Sequence, residues 1–188
     1  MADTFASHDE PRGYSLFIRI LHWTMAFIMV TMVIAGILMV NVYNTFNATT
    51  GFLYDYHRGM GFVLLILVVV RLLAYRFSTP PSPLPDSMPQ KHKNLAVIVH
   101  FLLYAALIIH PIFGWYATNA WGVKNIPIFG LFNLPALVEK DRELGNFLLA
   151  IHGYVGFFIA GLIVLHIAAA LMHLIVKRDG VFQRMTKT

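Results

Sequence analysis

Four long stretches of apolar residues, separated by short polar segments, divide the 188-residue chain. They run over about 17–40, 55–76, 95–118 and 146–176. Each stretch has the length of roughly 20 residues that an α-helix needs to cross the hydrocarbon core of a bilayer. The pattern therefore predicts an all-α integral membrane protein, a bundle of four transmembrane helices in which the whole chain, 1–188, is one domain. Pro111 falls within the third stretch and predicts a kink there.

The composition agrees with a membrane protein and narrows the chemistry. Hydrophobic residues make up 58% of the chain and charged residues only 12%. The absence of cysteine excludes disulfides, iron–sulfur clusters and covalently attached c-type haem. A net charge of +5 would suit a nucleic-acid-binding protein. However, the basic residues lie in short loops beside the apolar stretches, which is typical of membrane topology, so we expect no nucleic-acid partner.

The distribution of lysine and arginine predicts the orientation of the bundle. Ten of the 14 basic residues belong to the N-terminal tail, the 76–94 loop, the C-terminal tail and the adjoining helix ends. By the positive-inside rule, both termini are cytoplasmic and the protein lies in a bacterial inner membrane. The four basic residues on the opposite side are balanced there by four acidic ones. The ten predicted inner residues are Arg12, Arg19, Arg71, Arg76, Lys91, Lys93, Lys177, Arg178, Arg184 and Lys187.

Four histidines form two pairs at two predicted depths. His57 and His152 lie toward the outer side (the outer pair), and His22 and His166 lie toward the inner side (the inner pair). His152 and His166 are two heptads apart, so they share one helix face with a rise of about 21 Å between them. Histidines in lipid are costly without partners, and two-histidine ligation suits b-type haem. Zinc and copper more often take three or four mixed ligands.

Two further 14-residue spacings place candidate haem contacts beside these pairs. Gly36 follows His22 by 14 residues and would let a flat macrocycle approach the helix backbone. Arg71 follows His57 by 14 residues and could pair with an inner haem propionate. Arg58 could hold an outer propionate or serve as a topological anchor. Glycines in membrane helices also serve helix packing, so Gly36 alone decides nothing.

Six sequence segments resemble the bacterial cytochrome b561 family, which is itself similar to the cytochrome b subunits of nickel–iron hydrogenases. The resemblance covers about residues 14–176. It implies two non-covalent haem b groups with His22, His57, His152 and His166 as axial ligands. It also implies electron transfer between an outer partner and ubiquinone, as in the short superoxide oxidase type. The segments are RILHW (19–23), YHRGMG (56–61), VVRLL (69–73), HFLLY (100–104), IPIFGLFNLP (126–135) and HIAAALMH (166–173).

Three other histidines and one loop carry separate predictions. The resemblance suggests that His173 contacts a quinone or a propionate; the alternative is a snorkelling interfacial histidine. His100 could replace an inner ligand, although a hydrogen bond at a haem edge or a quinone is favoured. His110 has no predicted partner at its depth, so a hydrogen bond between helices is expected. The apolar loop around 126–135 is expected to lie in the outer interface or to cap the bundle.

Three functions remain open from the sequence. The first is an oxidoreductase that connects a periplasmic donor or acceptor to ubiquinone, with superoxide oxidation as its sharpest form. The neutral outer loops count against it, because positive charge would steer an anionic substrate. The second is a haem b anchor and electron-transfer subunit of a larger dehydrogenase or hydrogenase-like complex. The third is a haem-free, histidine-lined transporter of protons or metal ions.

Overall fold

A computed structural model describes residues 12–42, 47–85 and 88–187. The tail before residue 12, which the sequence places in the cytoplasm, lies outside the described residues. We call the bundle end that carries the chain's C-terminal residues the inner end, and the opposite one the outer end, after the predicted orientation.

Four helices within the described ranges are long and apolar enough to cross a membrane, so the predicted four-helix fold class is confirmed. The first and last helices each continue into a short π-helical turn, at Leu38–Val42 and His173–Lys177. The helices are α1 Leu16–Ile37, α2 Ala48–Phe77, α3 Gln90–Trp121 and α4 Arg142–Met172.

α2 and α3 begin five or more residues earlier than the sequence predicts. α2 starts at Ala48 because Asn47 and Thr50 form a reciprocal capping box. The Asn47 side chain accepts from the Thr50 amide at 3.0 Å, and the Thr50 hydroxyl accepts from the Asn47 amide at 2.7 Å. The predicted start at about residue 55 would place His57 in the first turn of this helix, and it lies instead in the third turn. α3 starts directly after Pro89 and continues through Pro111 as one helix.

The helices associate as two neighbouring pairs, α1 with α2 and α3 with α4. Met25, Ile28, Met32, Leu64 and Val68 form a buried cluster between α1 and α2. Large apolar side chains also cover the outside of the bundle, where a soluble protein would place polar ones. An apolar exterior of this kind is what the acyl chains of a bilayer require. Examples are Phe27, Phe101, Tyr154 and Phe157.

A two-stranded hairpin lies at the outer end, where the sequence predicts an interfacial or capping loop. Its strands, β1 Ile126–Ile128 and β2 Phe132–Leu134, pair antiparallel. Ile126, Ile128 and Leu134 are buried against side chains of α2 and α3. At the tip, the Phe129 ring covers Gly59 so closely that a β-carbon there would come within 2.5 Å of it. The hairpin therefore caps the bundle.

The last ten described residues, 178–187, form a C-terminal segment that returns across the inner end. The Tyr14 amide donates to the Arg184 carbonyl at 2.9 Å. The Trp23 indole N–H donates to the Met185 carbonyl, also at 2.9 Å. The Arg184 guanidinium donates to the Ser82 carbonyl in the loop after α2. The segment is thus attached to both α1 and the α2–α3 loop.

Candidate functional site

The outer pair lies between α2 and α4. The centres of the His57 and His152 rings are 6.1 Å apart, and their planes are inclined by 78°. The Nδ1 atoms of both rings are buried and have no hydrogen-bond partner among the described residues. An unsatisfied buried polar atom costs about 1–3 kcal/mol, and a group that bound both rings would offset part of this cost.

The inner pair repeats this arrangement between α1 and α4. The centres of the His22 and His166 rings are also 6.1 Å apart, with the planes inclined by 69°. Since His152 and His166 share a face of α4, the two pairs lie about 21 Å apart along the bundle. The 14-residue spacing on α4 therefore places two histidine pairs at two depths of the bundle, each with the same distance between its ring centres.

The separation within each pair fits one metal ion. A metal-bound imidazole nitrogen lies about 2 Å from its metal, so two rings on opposite sides of one ion have centres about 6 Å apart. Within residues 12–42, 47–85 and 88–187, no cluster of three or more His, Cys, Asp or Glu residues has the geometry of a metal site. A metal ion held by two histidines alone needs further donor atoms from another group to complete its coordination. A haem macrocycle supplies such a set, whereas a structural zinc site does not.

Two glycines border the outer pair. A β-carbon on Gly36 would lie 3.5 Å from Cε1 of His57, which is ordinary contact. A β-carbon on Gly114 would lie only 2.7 Å from Cε1 of His152, closer than real β-carbons approach. The structure thus places Gly36 where the spacing predicts it. It adds Gly114 from α3, which the sequence reasoning missed because no spacing relates it to the four histidines.

His110 is also part of the outer pair's surroundings. Its ring stacks on that of His152, with centres 3.8 Å apart and planes within 2°. The sequence names no partner for His110 at its depth, and the structure supplies His152, because α3 and α4 are close neighbours there. The contact is ring stacking instead of the expected hydrogen bond.

His100 lies beside the inner pair. Its ring centre is 5.1 Å from that of His166, and the two planes are perpendicular. Its Nδ1 is 2.6 Å from the Ala96 carbonyl. A proton on Nδ1 that bonds to this carbonyl would leave Nε2 as the nitrogen with a free lone pair. His100 therefore remains an alternative partner for His166, as the sequence allows.

The two candidate arginines differ in their partners. Arg71 lies close enough to His22 and His166 to act on both rings electrostatically. Its Nε is buried without a partner among the described residues. Arg58 at the outer end instead lies 3.9 Å from the Asp55 carboxylate and over the Tyr54 ring. Arg71 is therefore the better placed of the two to receive an anionic group.

His173 has a different contact from those predicted. Its Nδ1 lies 2.6 Å from a carboxylate oxygen of Asp179. Both side chains are mostly buried, so His173 does not snorkel to the surface, and its contact with a quinone or a propionate stays a prediction. It connects the end of α4 to the beginning of the C-terminal segment.

Comparison with known proteins identifies the family. The family model described as prokaryotic cytochrome b561 matches residues 13–188. The chain is 30% identical over 180 residues to cytochrome b561 homolog 2 of Escherichia coli (strain K12), which covers 94% of this chain and 93% of that protein. It is 32% identical over 134 residues to a probable superoxide oxidase CybB of Yersinia pestis, covering 69% and 72% respectively. The chain belongs to the prokaryotic cytochrome b561 family, whose members are haem b electron-transfer proteins of the membrane.

Proposed function

We propose that this member of the family carries electrons across the membrane through two haem b groups, one at each histidine pair, between a donor on the outer side and ubiquinone. One observation carries the proposal: two histidine pairs at different depths have the same ring separation of 6.1 Å. A protein with a single redox centre would need only one such pair. Haem-binding membership of the family speaks against the haem-free transporter.

Each pair has a defined role in this proposal. His57 and His152 would hold one haem, and His22 and His166 would hold the other. When bound, haem supplies one-electron redox chemistry, and the protein sets its potential through ligands, burial and nearby charge. Arg71, the cation nearest the inner pair, binds a propionate there.

Glycines and one arginine complete the outer centre. Gly114 allows the His152 ring to lie directly against α3, where a β-carbon would collide with it, and Gly36 lies beside the His57 ring at ordinary contact distance. Arg58 is available for an outer propionate, because its 3.9 Å contact with Asp55 is long and weak. The two centres then form one route along α4, from the outer pair to the inner pair.

Superoxide is the outer donor that we favour, in line with the printed name of the Yersinia relative. The described outer residues contribute four basic and four acidic side chains. Charge is nevertheless unevenly placed, because Lys124 is exposed without an acidic neighbour in sequence, whereas Lys140 stands between the exposed residues Glu139 and Asp141. Local positive charge of this kind attracts a small anion even where the net charge is zero.

The test is superoxide consumption by purified protein in detergent with added ubiquinone. We expect decay faster than spontaneous dismutation, with one ubiquinol formed for every two superoxide ions, because superoxide gives up one electron and ubiquinone takes two. His57→Ala should abolish the acceleration while leaving the inner haem in place. Decay at the uncatalysed rate would overturn the superoxide proposal. Stable co-purification of a second redox subunit would instead favour the anchor subunit.

A further inference from the structure

The inner end carries more positive charge than its described residues balance. All ten predicted inner basic residues lie within the described ranges. The one acidic side chain described at this end, Asp179, already contacts His173 at 2.6 Å. Nine of the ten basic residues are exposed or half-buried, so water and counter-ions can solvate them. Arg19 is the exception, because it is buried.

Arg19 has no partner for its charge among the described residues. Only 8% of its surface is exposed. Its Nε atom is buried, and its side chain makes no hydrogen bond or ion pair with any described residue. Arginine keeps its charge in proteins, and a buried charge without a partner is strongly unfavourable. The position of Arg19 therefore indicates an anion that binds to it.

A cavity of about 460 Å³ lies at Arg19, between the beginning of α1 and the C-terminal segment. Its volume is in the range of about 300–1,000 Å³ that small-molecule sites have. Its wall also includes Thr24 of α1 and Thr186 of the segment, whose hydroxyl groups can donate hydrogen bonds. An anion in this cavity would contact α1 and the C-terminal segment together.

The cavity adjoins an apolar surface on the outside of α1. Ile20 and Trp23 also line the cavity, and about half of each side chain is exposed. Exposed apolar side chains continue along α1 at helical spacing through Phe27 and Val30. Val30 lies about 16 Å beyond Arg19 at a rise of 1.5 Å per residue. One leaflet of a bilayer has about this hydrocarbon thickness, half of roughly 30 Å, so an acyl chain can lie along this surface.

A buried cation beside an exposed apolar surface matches an anionic phospholipid. Arginine binds phosphate oxygens with two parallel hydrogen bonds. Basic pockets at the membrane surface are suited to the head groups of anionic lipids. Trp23, in the same wall, is of the residue type that is enriched at the level of the head groups. A small soluble anion would use the arginine but leave the apolar surface without a role.

We propose that Arg19 binds the phosphate of an anionic phospholipid in the leaflet at the inner end, and that this lipid holds the C-terminal segment on α1. The segment already lies close to α1 at this point. The Trp23 indole N–H donates to the Met185 carbonyl at 2.9 Å, and a β-carbon on Gly13 would come within 2.5 Å of the Lys187 carbonyl. The proposal is independent of the proposed function, because it requires neither haem nor a particular electron donor.

Lipid binding to the protein as purified tests the site. The protein is freed of lipid in detergent and titrated with phosphatidylglycerol, which is anionic, or with phosphatidylcholine, which is zwitterionic. Bound lipids are counted by native mass spectrometry. We expect one phosphatidylglycerol to bind about tenfold more tightly than phosphatidylcholine. Arg19→Gln should weaken its binding about tenfold, which corresponds to the loss of one charge-assisted hydrogen bond.

Two further variants separate the charge of Arg19 from its geometry and its place. Arg19→Lys keeps the charge but cannot form two parallel hydrogen bonds, so its affinity for phosphatidylglycerol should fall between those of Arg19→Gln and the wild type. Arg76→Gln is the matched control, because it removes an exposed arginine at the same end of the bundle. It should bind phosphatidylglycerol as tightly as the wild type does.

Three results would overturn the proposal. The first is equal binding of the two lipids by the wild type, which decides the matter even if Arg19→Gln does not fold. The second is unchanged binding of phosphatidylglycerol in Arg19→Gln, the result expected if carboxylates of the first eleven residues neutralise Arg19. The third is binding of inorganic phosphate as tight as that of phosphatidylglycerol, which would assign the cavity to a free anion.

Limited proteolysis tests whether the lipid holds the C-terminal segment. Trypsin can cleave after Lys177 and Arg178, at the start of the segment. We expect this cleavage to be several-fold slower in phosphatidylglycerol than in phosphatidylcholine, both for the wild type and for Arg76→Gln. In Arg19→Gln it should be equally fast in the two lipids. Cleavage of the wild type at one rate in both lipids would overturn the coupling between the lipid and the segment.

Discussion

The outer and inner pairs have the same ring separation but opposite surroundings. The outer pair is enclosed by small and aromatic groups: Gly36, Gly114 and the stacked ring of His110. The inner pair has Arg71, whose buried Nε has no hydrogen-bond partner among the described residues, within electrostatic reach, together with the rings of His100 and Trp23. The two pairs therefore share the same ligand geometry but differ in their electrostatic surroundings.

This difference gives the two centres different expected tasks. Positive charge near a haem favours its reduced form, because reduction adds a negative charge. The inner centre should therefore have the higher midpoint potential. Electrons would then move from the outer pair to the inner pair, the direction that an outer donor and an inner acceptor require.

Removing one histidine from either pair should have the largest effect on the difference between the two centres. We expect His57→Ala and His166→Ala each to reduce the haem content from two to about one per chain, because an iron with one remaining ligand is held weakly. Haem quantitation and redox-difference spectra of the purified variants measure this.

The identity of the lost centre matters as much as the number. The two variants should lose different spectral components, since each removes a ligand from a different pair. His92→Ala, at the beginning of α3 and remote from both pairs, should keep both haems. If His57→Ala and His166→Ala lost the same component, the assignment of two pairs would be wrong.

The sequence predicts the four-helix fold and both pairs because these depend on properties of single helices. Apolar length determines whether a segment crosses the membrane, and a 14-residue spacing places two side chains on one face at two depths. The contact of His57 with His152 follows once the parallel helices α2 and α4 are placed side by side, and that of His22 with His166 once α1 is placed antiparallel to α4.

The sequence does not predict contacts that depend on how neighbouring helices are rotated relative to one another. Gly114 and His110 meet His152 because of how α3 and α4 face each other; the 14-residue spacing from His100 to Gly114 does not reveal which helix that face meets. The approach of Arg184 to the inner end depends on the return of a polar tail. The early start of α2 was not predicted for another reason. Its first turn is polar, so hydropathy does not mark it, and the start is defined by the capping box.

Closing the space at the outer pair is the next strongest change, and should affect one centre only. Gly114→Ala would place a β-carbon 2.7 Å from the His152 ring, which must then shift. We expect a loss of about 1–3 kcal/mol in stability and altered or reduced binding of the outer haem, with the inner haem unchanged. Thermal unfolding and the redox-difference spectrum report these effects.

The matched control is Gly153→Ala on α4, where a β-carbon would meet nothing within 4 Å. It should leave both haems in place and stabilise α4 slightly, because alanine is the better helix former by about 1 kcal/mol. Equal effects of the two substitutions would mean that the space beside His152 has no special role.

Arg71→Gln is the subtlest test, because it should change the potential of the inner centre while both haems stay bound. The variant removes a positive charge that acts on both His22 and His166. Without that charge the reduced form is less favoured, so we expect the inner midpoint potential to fall by tens of millivolts, given that about 59 mV corresponds to a tenfold change for one electron. Arg76→Gln, an exposed arginine five residues further along α2, should change it much less. Spectropotentiometric titration resolves the two centres. A fall in the outer midpoint potential would show that Arg71 does not act on the inner centre selectively. Equal shifts in Arg71→Gln and Arg76→Gln would show the same.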